Sequence, residues 1–126
     1  MLISYNQNYE KIAMGLLSYI ADLKSMERLQ VEMDSYNHEE NKKLYLWRDQ
    51  ETDNIVGIVG VEYDESMVLI RHLSVSPSFR NEGMIYKILD RLQSLYPEQV
   101  MNGTLETALF VSKWVQKKSE DGVEEE

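Results

Sequence analysis

Apolar residues fall at Ile12, Leu16, Leu17 and Ile20, and again at Leu23, Met26, Leu29 and Met33. These three- and four-residue spacings predict helix from about residue 9 to about Tyr36, as two helices or one bent one, with Asn37 to Asn41 as a loop. Before them, Leu2 to Tyr5 is short and apolar enough for an edge strand. The period then changes. Leu44 to Arg48, Ile55 to Val61 and Met67 to Val75 are β-branched and aromatic runs separated by the polar turns Asp49 to Asn54 and Asp64 to Ser66, which predicts an antiparallel meander. Gly57 and Gly60 inside the middle run mark places where a bulge or another group comes close.

After Val75 the helical period returns. Ile85, Ile88, Leu89, Leu92 and Leu95 share one face of a helix that ends near Pro97. Gln99 to Met101 is a brief strand candidate, and a last helix from Thr104 carries Leu105, Ala108, Leu109, Val111, Trp114 and Val115. A strand, a helix and a second strand in that order form a βαβ crossover, so the Met67 and Gln99 strands are expected to be parallel neighbours. The fold class is α+β, a mixed and mostly antiparallel sheet covered by helices.

Composition narrows the function. At 126 residues, 43% hydrophobic and 28% charged, the chain is expected to form one domain over residues 1–118, with 119–126 as an acidic, solvated and disordered tail. No apolar run approaches a membrane span, and Met1 to Tyr5 carries no basic signal-peptide start, so a cytoplasmic location and no membrane partner are expected. There is no cysteine, and the two histidines, His38 and His72, are far apart in sequence, so neither thiolate chemistry nor a metal centre is expected. The net charge of −9 argues against nucleic acid as a partner.

The stretch Ser74 to Asp90, SVSPSFRNEGMIYKILD, carries the candidate chemistry. A strand that feeds a helix through a turn leaves the first-turn amides without helical partners, at the end where the helix dipole is positive. An anion such as a phosphate satisfies both. Gly83 lets the backbone come close, Arg80 supplies a charge-assisted donor, and Lys87 stands one turn further on. An exposed arginine before an ordinary helix start explains the same residues, and the spacing alone does not choose.

Ile70 to Ile85, with Leu73, Val75, Pro77, Arg80 and Gly83 in their places, resembles motif A of the GCN5-related N-acetyltransferases, a strand with L-x-V-x-P followed by R/Q-x-x-G-x-G/A. Ile85 stands where that motif has Gly or Ala. The resemblance covers about residues 42 to 115 and implies helices on both faces of the sheet, with a C-terminally shortened fold that stops near the family's last hairpin. A narrower resemblance, carried by Met1 to Ile3, Tyr9 to Ser18, Leu46-Trp47 and Ile70 to His72, is to the small RibT acetyltransferases of bacterial riboflavin operons. Together they imply acetyl-coenzyme A as co-substrate. Its pyrophosphate would lie on the amides of Arg80, Asn81, Glu82, Gly83, Met84, Ile85 and Tyr86, and its pantetheine arm along Leu73, Ser74 and Val75, at an edge splayed from the parallel strand.

Acetyl transfer to an amine needs a neutral nucleophile, donors for the oxyanion and a proton for the thiolate. His72 is one candidate base, on a strand that passes the expected acetyl position; a histidine packed under a helix is the other reading. Strand alternation would put Ile70, His72 and Ser74 on one face, and Leu69, Arg71, Leu73 and Val75 on the other. Glu62 is a second candidate base or a solvated strand end, and Arg71 binds an acidic acceptor or makes a cross-strand ion pair. The family's N-x-x-A-x-x-F-Y pattern on the last helix meets Thr104, Thr107, Phe110 and Val111 here, so its tyrosine acid is absent. Three functions remain open: an N-acetyltransferase of a small-molecule or protein amine, a coenzyme A binding regulatory module with weak catalysis, and an oligomeric scaffold. A homodimer is compatible with each.

Overall fold

The structure is a computed structural model and describes residues 1–80 and 82–125. Five strands form one sheet in chain order: β1 (Leu2–Ser4), β2 (Lys42–Arg48), β3 (Ile55–Tyr63), β4 (Met67–Val75) and β5 (Val100–Gly103). Pairing is antiparallel from β1 to β4 and parallel between β4 and β5, as the crossover through α3 (Glu82–Leu95) requires. Turn chemistry closes the meander. The Asp49 carboxylate accepts from the amide and hydroxyl of Thr52, and Asp53 takes φ 63° beside it. Asp64 Oδ1 accepts from the amides of Ser66 and Met67, each at 2.8 Å.

Helices cover both faces. α1 (Glu10–Leu17) and α2 (Met26–His38) pack on one, where Ala13, Leu16, Leu17, Leu29, Met33 and Tyr36 meet Leu44, Leu46 and Ile58. The first helical pattern is therefore two helices. They are separated by residues 18–25, in which Leu23 is buried and Ser25 caps α2 by accepting from the Arg28 amide at 3.2 Å. The three α2 anchors, spaced by four and three, each contribute roughly 2 kcal/mol by leaving water. α3 and α4 (Ala108–Glu125) cover the other face, with Ile88, Leu89, Leu92, Val111 and Trp114 against Val59, Val61, Val68, Ile70, Leu73 and Val75. Trp114 Nε1 donates to Asp90 Oδ1 at 2.7 Å and ties the two helices together.

Two boundaries differ from the periodicity. α4 starts at Ala108 rather than Thr104, because Thr104 to Thr107 close a turn in which the Ala108 amide donates to the Thr104 carbonyl at 2.7 Å. The helix also runs through residues 119–125, the segment assigned to a solvated tail. Among the described residues no helix is long and apolar enough to cross a membrane.

The expected alternation along β4 fails in its middle. Val61 lies opposite Ile70 and Gly60 opposite His72, so Arg71 is one residue more than β3 can pair. This β-bulge turns two successive side chains to the same face. Ile70 stays in the α3 and α4 core, whereas Arg71 and His72 both face α2, where Arg71 meets Glu32 and His72 meets Tyr36. Ile70 and His72 therefore do not share a face.

Candidate functional site

The β4–β5 ladder ends early. Its last pair is Ile70 and Gly103, and the Ile70 carbonyl then accepts from Thr107 Oγ1 at 2.6 Å and from the Thr104 amide at 3.3 Å. These threonines turn the chain into α4, while β4 continues to Val75 with no strand on that side. The gap is a cavity of about 530 Å³, a size suited to a small-molecule ligand. Arg71 to Val75 form its floor, Tyr19 to Asp22 of the α1–α2 connection one wall, and Thr107 and Phe110 the other. Arg80 and Ile85 close the end nearest α3.

His72, Leu73, Ser74, Val75, Arg80 and Ile85 all line this cavity. Gly83 is exposed near the start of α3 and does not line the cavity, and Met84 and Tyr86 pack against the core on that side. The backbone of Glu82 opens α3, while Asn81 lies outside the described residues. Arg80 Nε donates to the Val75 carbonyl at 3.0 Å, and its guanidinium lies 4.8 Å over the Tyr19 ring, joining the end of β4 to the α1–α2 connection. Glu62 does not line the cavity; it lies 3.8 Å from Arg71 Nε and 3.8 Å from Lys42 Nζ. Arg71 makes its closer ion pair with Glu32, at 2.9 Å, so its charge is neutralised within the protein.

His72 is buried, 9% exposed, and its Nδ1 lies 2.6 Å from the Tyr36 hydroxyl. Burial pushes its pKa down to about 4, so the ring is neutral at physiological pH. Burial raises the Tyr36 phenol far above its ordinary value. Asp22 and Glu106 also line the cavity, with their side chains close together. The Glu106 carboxyl is held below the usual range by hydrogen bonds with its own backbone amide first, then with Thr104 and Asp22. A smaller hollow of about 160 Å³ continues from there and adds Arg28 and Glu32 to its lining.

Sequence reasoning missed Tyr19 to Asp22 and Glu106, and it offered Tyr36 only beside Tyr45 and Tyr63 as a border of an acceptor cleft, without its contact to His72. The break in helical period after Ile20 was the available signal for the first group. Tyr36 reaches His72 across 36 positions, and no local pattern reports such a contact.

No protein-family model matches the chain. An uncharacterized N-acetyltransferase in the lysA 3′ region of Bacillus methanolicus is 40% identical over 114 residues, 90% of this chain and 93% of that protein. Among solved structures, the aminoglycoside N-acetyltransferase AAC(6′)-Iy in complex with the bisubstrate analogue CoA-S-monomethyl-acetylneamine superposes with a TM-score of 0.69 at 12% identity, covering 94% of this chain and 87% of that one. The ribosomal-protein-alanine N-acetyltransferase of Brucella melitensis biovar Abortus 2308 also gives 0.69, at 16% identity, over 92% and 88%.

Proposed function

The chain belongs to the GCN5-related N-acetyltransferases, and we propose that it transfers the acetyl group of acetyl-coenzyme A to an amine that carries further positive charge. The carrying observation is the early end of the β4–β5 ladder. Beyond Ile70 the β4 edge is left for a ligand's amide groups to pair with, as a strand would, and the cavity beside it runs toward the start of α3. The residues fit such a co-substrate: β4 offers main-chain groups at Leu73 and Val75, Phe110 and Ile85 offer apolar walls, and Arg80 stands at the end that leads to α3. Acetyl-coenzyme A itself supplies the activated carbonyl.

The acceptor class follows from two acidic residues of the same cavity. Asp22 and Glu106 make no ion pair among the described residues, and together they give the cavity lining a pair of neighbouring carboxyl groups for a cationic acceptor. A polyamine, an aminated sugar or a lysine-rich peptide satisfies both. A role beside riboflavin synthesis, in the cytoplasm, belongs to this proposal on the strength of the sequence resemblance. Its check is thiol release with aminated intermediates of that pathway. A coenzyme A binding module of low catalytic power is the second reading, favoured by Val111, which is buried in the core where the family's acid would stand.

Two measurements test the proposal. Acetyl-coenzyme A at about 100 times its dissociation constant should stabilise the fold by about 2.7 kcal/mol. Thiol release with a diamine should then exceed that with a neutral monoamine. A stabilising shift without thiol release supports the second reading, and the absence of any shift at millimolar ligand removes both.

A further inference from the structure

Proton bookkeeping at Tyr36 and His72 favours one tautomer. The Tyr36 hydroxyl is a donor as well as an acceptor, and its one hydrogen-bonding acceptor among the described residues is His72 Nδ1, at 2.6 Å. Arg71, whose guanidinium lies 5.6 Å from the Tyr36 ring centre, can only donate. Tyr36 therefore gives its proton to the bond with Nδ1, and the neutral imidazole carries its own proton on Nε2. Nε2 has no protein partner among the described residues, and the buried polar atoms left without one are Tyr5 Oη and Arg48 Nε. Nε2 thus keeps access to open space, and the space that His72 borders is the cavity and its smaller continuation.

We propose that His72 acts as a hydrogen-bond donor through Nε2–H to the thioester oxygen, in place of the base its position suggested, and that Tyr36 is the positioning residue that fixes this tautomer. The inference rests on the acetyl-transfer reading. As the amine nitrogen bonds to the carbonyl carbon, the carbonyl π electrons move to oxygen, where a donor is needed. Collapse then returns that pair, breaks the carbon–sulfur bond and leaves its electrons on the coenzyme thiolate, while the amine's proton leaves to water. His72 keeps its proton throughout. Passing it on would leave an imidazolate, or a Tyr36 phenolate in a place where burial disfavours one.

The tautomer can be read without catalysis. A long-range proton–nitrogen correlation spectrum of the imidazole-labelled full chain at pH 7 should show Nε2 protonated and Nδ1 bare, and Tyr36→Phe, which keeps the ring, should weaken that preference. A spectrum dominated by the Nδ1–H form overturns the proposal whether or not transfer is observed. In thiol release, His72→Gln keeps an N–H donor that cannot titrate and should stay within about tenfold of the parent, whereas His72→Ala should lose on the order of 10²-fold or more in kcat. Equal losses in both variants overturn the donor role. A parent chain that binds acetyl-coenzyme A and releases no thiol overturns the transferase reading and leaves the tautomer to the spectrum.

Discussion

The hydroxyl end of Tyr36 occupies the space that a Cβ on Gly60 would fill. Because Gly60 lies opposite His72 in the β3–β4 ladder, the missing side chain on one strand is what admits the partner of the histidine on the next. Gly60→Ala should push Tyr36 away and cost about 1–3 kcal/mol, the usual penalty of overfilling a packed site. Urea unfolding should show this as a lower midpoint with an unchanged slope.

Stability should also depend on pH through His72. Its folded pKa, about 4, lies below the ordinary value of 6.5. Between those values the unfolded chain takes a proton that the native state refuses, so stability falls as pH drops from 6.5 toward 4 and stops falling on this account below 4. The difference of about 2.5 units corresponds to about 3 kcal/mol. His72→Gln should flatten unfolding midpoints over that window by a comparable amount, and an unchanged pH slope would show that the ring is not buried neutral.

Arg80 is spent on the protein as much as on a ligand, since Nε holds the Val75 carbonyl while the guanidinium plane lies on Tyr19. Arg80→Lys keeps the charge but loses the planar fork and the stack. It should weaken acetyl-coenzyme A binding by about tenfold, or 1.4 kcal/mol, close to the loss in Arg80→Ala. Calorimetric titration that finds parent-like affinity in the lysine variant would show that charge alone matters there.

Asp22 and Glu106 are exposed, so solvent screens the hold of each on a cationic acceptor. Asp22→Asn with Glu106→Gln should therefore raise the KM for a diamine by up to about tenfold, with little change in kcat and a weaker dependence on salt. Steady-state kinetics with a diamine and a neutral amine separate this from a general loss.

Much of this architecture was legible in the sequence because it is local. The three strands between Leu44 and Val75, the helix marked by Ile88, Leu89 and Leu92, and the parallel return strand all follow from periods of two and 3.6 between turn residues. The bulge at Arg71 was not legible, since which residue is left over depends on the register with β3. That one residue decides that His72 faces α2. Likewise Thr107 looked like a helix position, and its hydroxyl instead ends the β4–β5 ladder at Ile70.

The most direct measurement is hydrogen exchange on the full chain with and without acetyl-coenzyme A. Protection confined to the amides of residues 73–75 and the start of α3 is the predicted result. Protection elsewhere, or none at saturating ligand, would contradict a cofactor site in the gap beyond Ile70.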